Sequence, residues 1–385
     1  MDAKRAARTE ATDRHAELIA LSHRIHAHPE LAFEEERACG WVAETLDAHG
    51  FAVERGICDL PTAFRARAGN GPLHVAFLAE YDCLPGIGHA CGHNVIAATA
   101  VGAALAAARV ADEVGLTVTV IGTPAEETGG GKVLLLERGA FDGVHAAMMT
   151  HPAPLDAAAP PFIAWSHFEI SYAGKAAHAS AFPEQGINAA DALTVAQTAI
   201  GLLRQHLRPG DRVHGIVTCG GEAANVVPAH TSASYMVRAT SSDDVAAVRT
   251  KVMRCFEAGG LATGATLAVR ELSRPYAEVR HDAALAALYQ RNAEELGRTF
   301  PDFGHLLDRA AGSTDMGNVS QVLPALHPVI GIGSLPAVNH QPEFAAHCAT
   351  PAADQALYDG AVALAWTAID VATDDALSAR LRGAA

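Results

Sequence analysis

The sequence predicts an α/β fold with a largely parallel sheet, together with a second, inserted α+β domain. In the first 150 residues, short apolar runs alternate with segments of helical pattern, as in sheets that helices cover on both faces. A stretch rich in Pro and Ala, PAPLDAAAPP, follows at 152–161 and has the composition of a linker. Beyond this linker the predicted elements follow a different order, which indicates a separate folding unit.

The first block combines three helices with three strands. The helices are predicted over residues 14–26, 34–49 and 95–110. The strands are predicted at the apolar runs 73–79, 116–122 and 145–150. Because helical segments separate the strands along the chain, neighbouring strands can lie parallel in one sheet.

The second block has six predicted elements in the order β-α-β-β-α-β, which is typical of a ferredoxin-like unit. Its strands are predicted over residues 162–173, 212–219, 231–239 and 266–272. Its helices are predicted over residues 188–207 and 243–258. We therefore expect an inserted domain at 163–273 and an outer domain formed by 1–162 and 274–385.

The composition excludes several classes of protein. The 385 residues include 28 Lys and Arg against 43 Asp and Glu, and this net charge of −15 argues against nucleic acid or an anionic membrane as partner. No run of about 18 apolar residues predicts a membrane span. The N-terminus lacks the apolar stretch of a signal peptide, and the seven Cys include no CxxC pair. We therefore expect a cytoplasmic protein with reduced thiols.

Two short segments next to predicted strands carry side chains that bind metal ions. Cys91 and His93, in GHACGHN, are separated by one glycine, so both can reach the same metal region. Glu126 and Glu127 are adjacent after the run LTVTVIG. Two neighbouring carboxylates repel each other unless a cation or a shared proton compensates, so a metal ligand beside a general base is one interpretation.

Two histidines lie in similar positions. His151 follows the third apolar run, and His340 lies in the segment NHQPEF. Taken alone, each candidate is more often structural, as a buried Cys beside a capping His, a charged loop or a single His at a strand end. Together, five soft or borderline ligands from separate chain segments favour a metal site, because strand ends of an α/β sheet can converge at one edge.

Eight segments of the chain, in order, resemble motifs of the M20 metallopeptidase/amidohydrolase family. These segments are HRIHAHPELAFEE, EYDCLPGIGHACGHN, TPAEETGGGK, MMTHP, GKAAHASAFPEQGINAADAL, GGEAANVVP, STDMGNVS and NHQPEF. The sequence is most similar to the branch that holds the aminobenzoyl-glutamate hydrolase subunits and the β-alanyl-lysine-type dipeptidases. The resemblance implies a zinc-peptidase-like catalytic domain over 1–162 and 274–385, with a lid and dimerisation domain over 163–273.

The same resemblance implies a two-metal hydrolase. Cys91 matches a bridging thiolate, and the remaining ligands match His93, Glu127, His151 and His340. The implied ions are Zn²⁺ or Mn²⁺, with Co²⁺ as an alternative.

Further roles follow from the same motifs. Glu126 matches the catalytic base, and Asp82 matches an Asp that fixes the orientation of a metal ligand. The broader family pattern after the ligand pair is CGHD-x-H, whereas this chain has Asn94 followed by Val95 and Ile96. Asn at this position is typical of the narrower branch.

Three residues of the inserted domain match positions that contact substrate. His178 matches a His that reaches the active site of the partner subunit and stabilises the oxyanion of the tetrahedral intermediate. Asn225 and Arg238 match lid positions that hold the carboxylate of the substrate. The resemblance therefore implies a homodimer.

The main hypothesis is hydrolysis of the amide bond in an N-acyl amino acid or unusual dipeptide, a small substrate with a free carboxylate. Aminobenzoyl-glutamate, β-alanyl dipeptides and indoleacetyl-amino acids are examples of this class. In this hypothesis two metals activate a water, and Glu126 moves its proton to the leaving amine. One alternative is a deaminase or ureido-type C–N hydrolase with the same centre. Another is a regulatory subunit of a two-subunit hydrolase.

Overall fold

The computed structural model describes residues 2–302, 304 and 311–383, which form two compact units. Unit 1 comprises Met1–Pro161 and Val279–Ala385, and unit 2 comprises Phe162–Glu278. Unit 2 thus begins one residue before and ends five residues after the insert expected from the sequence. The longer end has a physical reason. Tyr276 exchanges two backbone hydrogen bonds with Trp165, so the segment after the last strand stays paired with unit 2.

The strands of the described residues are numbered along the chain. They are β1 (Ala52–Arg55), β2 (Phe64–Ala68), β3 (Leu73–Glu80), β4 (Leu116–Thr123), β5 (Ala146–Met148), β6 (His151–Ala153), β7 (Ala164–Ala173), β8 (Arg212–Cys219), β9 (His230–Ala239), β10 (Thr266–Glu271), β11 (Ala325–Leu326) and β12 (Val329–Gly331).

The helices of the described residues are numbered in the same way. They are α1 (Ala3–His26), α2 (Glu36–Ala48), α3 (His93–Ala108), α4 (Ala111–Val114), α5 (Gly131–Glu137), α6 (Ala189–Leu203), α7 (Ser242–Thr263), α8 (Ala283–Glu295), α9 (Met316–Ser320), α10 (Pro342–His347), α11 (Pro351–Thr373) and α12 (Asp375–Arg382). None of the helices in these residues is long and apolar enough to cross a membrane.

Unit 1 is built on a six-stranded sheet in the order β1-β2-β4-β3-β5-β11. The neighbours β4, β3, β5 and β11 run parallel, whereas β1 and β2 form an antiparallel edge. The predicted α/β class with a largely parallel sheet is confirmed. The sequence does not predict β1 and β2, because these short strands carry Glu54, Arg65 and Arg67 and so lack a continuous apolar run.

The third predicted strand, 145–150, is shorter in the structure and is followed by a strand of a second sheet. Residues 146–148 form β5 of the main sheet, and His151 begins β6, which pairs in parallel with β12. The chain thus leaves the main sheet just before His151 and places this residue at the end of the parallel strands.

The helical layer of unit 1 is packed closely through small side chains. Fifteen of the sixteen residues of α3 are buried, and α3 lies against both α1 and α11. A Cβ atom at Gly102 would lie 2.8 Å from Leu18 Cδ1 and 2.9 Å from Ala361 Cβ, so only glycine allows this close approach. Helix α1 begins at Ala3 rather than at residue 14, because the Asp2 side chain accepts a hydrogen bond from the Lys4 N–H at its start.

Unit 2 has the predicted β-α-β-β-α-β order and a four-stranded antiparallel sheet, β10-β7-β9-β8. This spatial order, fourth-first-third-second, is that of a ferredoxin-like unit. Helices α6 and α7 pack together, and their core includes Phe168 and Tyr172 of β7, Leu193 of α6 and Phe256 of α7. Helix α7 runs past the predicted end at 258 and stops before Gly264, whose φ of 79° favours glycine.

A fully buried ion network lies where β3 meets α5 and α9 in unit 1. The Nζ of Lys132 donates to Glu80 Oε1 (2.5 Å) and to Asp315 Oδ1 (2.7 Å). The Lys132 backbone N–H donates to Asp315 Oδ2 (2.8 Å). Burial lowers the pKa of Lys132, but the charges of Asp315 and Glu80 outweigh it and raise the pKa above its ordinary value. The ammonium therefore stays charged inside the protein.

We expect Lys132→Met to destabilise unit 1 by about 3–5 kcal/mol, because it leaves two buried carboxylates without their cation. Lys4→Met is the comparison, since Lys4 loses an ion pair with Asp370 (2.7 Å) and a hydrogen bond to Asn292 (2.8 Å) but keeps part of its side chain in water, so the expected loss is smaller. Urea unfolding of both variants measures the difference. An equal loss in the two variants would contradict the proposed importance of the buried network.

Candidate metal centre and active site

Three loops meet at the edge of the sheet where the parallel strands of unit 1 end. Strand β3 ends at Glu80 and leads to Asp82. Strand β4 leads to Glu126 and Glu127, and His151 follows β5. Side chains that are far apart in the chain therefore gather in the place where open α/β sheets bind ligands.

The segment that carries Cys91 and His93 turns sharply at Gly92. This glycine has a φ of 82°, and a Cβ atom there would lie 2.4 Å from Pro152 Cγ. Helix α3 begins at His93, so the imidazole belongs to the first turn of a rigid helix and is fully buried. Both the backbone conformation and the close contact with Pro152 therefore favour glycine between the two candidate ligands.

Asp82 connects His93 with the loop of Glu127. Its Oδ1 lies 2.9 Å from His93 Nδ1, and its Oδ2 accepts a hydrogen bond from the Glu127 N–H (3.0 Å). Burial lowers the pKa of His93, but the charge and hydrogen bond of Asp82 outweigh it, so the pKa of His93 is well above its ordinary value. His93 Nε2 then lies 3.4 Å from Glu80 Oε2, 4.0 Å from Glu126 Oε2 and 3.8 Å from Glu127 Oε1.

The thiol of Cys91 lies between two other histidines. Its Sγ is 3.4 Å from His151 Nε2 and 3.6 Å from His340 Nε2. His151 Nδ1 lies 2.8 Å from the carbonyl oxygen of Pro152, which orients the ring with Nε2 toward Cys91. His340 Nε2 is also 3.5 Å from Glu127 Oε2. Burial lowers the pKa of His151 to about 4 and raises the pKa of the Cys91 thiol well above its ordinary value.

The donor atoms form two groups that share Cys91. One group is Cys91, His93 and His151, and the other is Cys91, Glu127 and His340; in each, the donor atoms lie within 4.8 Å of one another. Among the described residues, His93 Nε2 and Glu127 Oε1 are buried without a hydrogen-bond partner. Buried polar atoms normally have partners, and thiolate, imidazole and carboxylate are ligands of divalent transition metals. The residues therefore fit a pair of divalent cations.

Glu126 lies on the inner side of this cluster. It is 7% exposed, and one of its oxygens is within 4.8 Å of carboxylate oxygens of Glu80 and Asp315. Burial, followed by the charges of Glu80 and Glu127, raises the pKa of Glu126 well above its ordinary value. A carboxyl group in this environment holds a proton more readily than an exposed one, as a proton-transfer group requires.

In unit 2, His178 and Asn225 lie on two loops that pair with each other. The Ala179 N–H donates to the backbone oxygen of Asn225 (3.0 Å). Both side chains are accessible to solvent. His178 Nδ1 accepts hydrogen bonds from the N–H groups of Ser180 and Ala181, both at 3.3 Å, so the backbone orients the ring.

Arg238 lies on β9 of unit 2, opposite Trp165 in the register with β7. Its guanidinium carbon is 5.5 Å from the centre of the Trp165 ring, a cation–π distance. Burial lowers the pKa of Arg238. The group is thus a partly buried cation on the sheet of unit 2.

Four charged residues that shape the acidic part of the site were not predicted from the sequence. These residues are Glu35, Glu80, Lys132 and Asp315. Each has zero exposure, and all four lie within the motifs quoted above, where no role was assigned to them. A Glu that ends the apolar strand LHVAFLAE, and a Lys directly after GGG, are the local signals that could have identified Glu80 and Lys132.

The structure also gives Asn94 a role. Its Nδ2 donates to Ser22 Oγ (2.9 Å) and to the carbonyl oxygen of Cys348 (2.9 Å). Because Asn94 follows His93 in the first turn of α3, these bonds connect the ligand segment with α1 and with the end of α10.

Comparisons with known proteins agree with the family indicated by the motifs. Residues 76–365 match the family described as peptidase family M20/M25/M40. The chain is 40% identical over 384 residues to the Xaa-Arg dipeptidase of Mus musculus, covering 96% of this chain and 89% of the relative. It is 34% identical over 274 residues to one of the subunits of the p-aminobenzoyl-glutamate hydrolase of Escherichia coli, covering 65% of this chain and 56% of the relative.

Solved structures share the fold. A dinuclear metal binding peptidase of the M20 family from Bacillus subtilis has a TM-score of 0.71 and 23% identity, with 94% of this chain and 99% of that chain covered. An aminobenzoyl-glutamate utilization protein from Klebsiella pneumoniae has a TM-score of 0.73 and 19% identity, with coverage of 94% and 97%. The predicted family is confirmed by the sequence matches. The chain belongs to peptidase family M20/M25/M40 and is a metallo-hydrolase that acts on amide bonds.

Proposed function

We propose that this hydrolase is a dipeptidase that cleaves the amide bond before a C-terminal basic residue, within a wider class of N-acyl amino acid substrates. The observation that carries the proposal is the cluster of five candidate ligands beside Glu126 in unit 1. The name of the mouse relative, Xaa-Arg dipeptidase, supports the choice of a basic residue. The Escherichia coli relative supports the wider class, because p-aminobenzoyl-glutamate also has an amide bond next to an amino acid with a free carboxylate.

In this proposal five side chains hold two divalent ions, Zn²⁺ or Mn²⁺, with Co²⁺ as an alternative. Cys91 belongs to both donor groups, so His93 and His151 would hold one ion with it and Glu127 and His340 the other. When bound, such ions supply Lewis acidity, which polarises the substrate carbonyl and lowers the pKa of water.

Glu126 acts as the proton-transfer group. It accepts a proton from the attacking water and delivers it to the leaving amine. The burial of Glu126 and its distance of 4.0 Å from His93 Nε2 support this role, because the carboxylate lies at the edge of the ligand cluster. Asp82 keeps His93 oriented through the bond to Nδ1.

Residues 163–273 act as a lid and dimerisation domain in this proposal. His178 stabilises the oxyanion in the active site of the second copy of a homodimer, and Asn225 and Arg238 hold the carboxylate of the substrate. The accessibility of His178 and Asn225 supports these roles, since a group that contacts substrate must be reachable. We place the enzyme in the cytoplasm, in line with its seven free thiols.

The charge of the chain supports a basic substrate. A net charge of −15 attracts a cationic side chain at long range, whereas it repels the carboxylate of the same substrate. The partly buried Arg238 offers the opposite charge for that carboxylate.

We expect Glu126→Gln to reduce kcat by about 10²–10⁴-fold, because the variant keeps the volume of the side chain but cannot accept a proton. Metal content should stay near that of the wild type. Steady-state kinetics and elemental analysis of the purified protein measure the two quantities. Glu113→Gln, an exposed position on α4, is the control with the same chemical change. Near-normal turnover of the Glu126 variant would contradict the mechanism.

Removal of metal should abolish turnover. We expect about two bound ions per chain, loss of activity with a chelator, and recovery on addition of Zn²⁺, Mn²⁺ or Co²⁺. Cys91→Ala and His340→Ala should bind fewer ions. His23→Ala is the control, because His23 pairs with Asp354 on the surface and belongs to neither donor group. Equal metal content in all three variants would exclude the proposed ligands.

A substrate panel tests the specificity. Ala-Arg, Ala-Lys and β-alanyl-Lys should have kcat/KM values at least tenfold above Ala-Leu and Ala-Glu, where tenfold corresponds to about 1.4 kcal/mol. The panel also includes p-aminobenzoyl-Glu, N-acetyl amino acids and indoleacetyl conjugates. The released product should be an amino acid. Ammonia as the product would favour the C–N hydrolase alternative, and turnover only with a second polypeptide would favour the two-subunit alternative.

A further inference from the structure

The segment HPELAFEE, residues 28–35, joins α1 to α2 and contacts two of the loops that carry the candidate site. The backbone oxygen of Glu30 accepts a hydrogen bond from the Cys83 N–H (2.9 Å), next to Asp82. The ring of Phe33 lies against Gly129, where a Cβ atom would be 2.5 Å from Phe33 Cε2. None of the residues in this segment belongs to the donor groups, so the contacts indicate a supporting role.

Glu35 makes the most direct contact. Its side chain has zero exposure, and its Oε1 accepts a hydrogen bond from the Ala125 N–H at 2.8 Å. Ala125 is the residue directly before Glu126. A buried carboxylate thus reaches from the start of α2 to the backbone of the loop that carries Glu126 and Glu127.

Ala125 has an unusual backbone conformation. Its φ is 58°, in the left-handed region that residues other than glycine rarely adopt. Such a conformation persists only where the surrounding structure holds it. Here the Ala125 N–H is bonded to Glu35, and the Ala125 oxygen accepts from the Gly130 N–H (3.1 Å). The residue is therefore held on both sides.

The conformation of Ala125 decides where the next two side chains point. The chain leaves β4 at Thr123, and within two residues it must turn so that Glu126 and Glu127 reach His93. A relaxed, right-handed Ala125 would redirect the following peptide and move both carboxylates away from Nε2 of His93.

We propose that Glu35 is a positioning residue that holds Ala125 in its left-handed conformation and so directs Glu126 and Glu127 toward the other candidate ligands. The role needs a hydrogen-bond acceptor at this position and not a negative charge. It rests on the roles assigned above to Glu126 as the proton-transfer group and Glu127 as a ligand.

Two substitutions of Glu35 show whether the position needs a hydrogen-bond acceptor or only a side chain that fills the space. Glu35→Gln keeps an oxygen that can accept from the Ala125 N–H, whereas Glu35→Leu has a similar volume and no acceptor. We expect the Leu variant to lose at least tenfold in kcat with a smaller change in KM, because small displacements of reacting groups cost rate. Its affinity for Co²⁺, measured by competition with a chelator, should fall as well, since Glu127 moves. The Gln variant should stay within about threefold of the wild type in both quantities.

Asn292→Leu controls for loss of stability. Asn292 has zero exposure and bonds to Lys4, Thr367 and Asp370, none of which belongs to the site. Thermal unfolding should show that both Leu variants are destabilised, with kcat and Co²⁺ affinity reduced only in Glu35→Leu. Equal losses in the Asn292 variant would show that reduced stability explains the effect and would overturn the inference.

Two other outcomes would also contradict the positioning role of Glu35. A folded Glu35→Leu variant with normal kcat and normal Co²⁺ affinity would overturn the positioning role, as would a Gln variant impaired as strongly as Leu. Glu126→Gln, assayed in parallel, tests the proposed function separately. If that variant stays active, the base assignment fails, while the Co²⁺ affinity of the Glu35 variants still decides whether Glu35 positions Glu127.

Discussion

Buried negative charge at one edge of the sheet is the constraint on which the rest of the site depends. The carboxylates of Glu80, Glu126 and Asp315 lie close together, and none is appreciably exposed. Carboxylates in an environment of low dielectric constant are costly unless cations pair with them. Lys132 supplies one such cation from within the chain, and divalent ions at the neighbouring donor groups would supply more. Binding of such ions would therefore also stabilise the folded state at this edge.

Three residues with unusual backbone conformations help to place the side chains of the candidate site at this edge. Gly92, Ala125 and His340 have φ angles of 82°, 58° and 69°. Gly92 has no Cβ to clash, Ala125 is bonded on both sides, and the His340 N–H donates to the Ala90 oxygen at 2.8 Å. Backbone strain of this kind clusters at functional sites because surrounding contacts can hold it there.

The elements of the fold that sequence patterns predict are those with strong local signals. Strands β3 and β4 coincide with uninterrupted apolar runs, and the six elements of unit 2 follow the predicted order because each has its own period. Strands β1 and β2 and the first turns of α1 lack such a signal. In the two strands, charged residues alternate with apolar ones. The first turns of α1 consist mostly of alanine and charged residues, so they have no distinct apolar face.

The family, the parallel sheet and the candidate metal ligands could be predicted from the amino-acid sequence, because motifs and periodicity are local properties of the chain, whereas the buried Glu80, Lys132 and Asp315 were not predicted. Cys91 and His93 could be predicted as a pair, since one glycine separates them. Only the folded structure shows which residues distant in the sequence are in contact. Lys132 contacts Asp315, 183 positions away, and Glu35 contacts Ala125, 90 positions away. Such contacts depend on the order of strands in the sheet and on loop conformations, which no local pattern encodes.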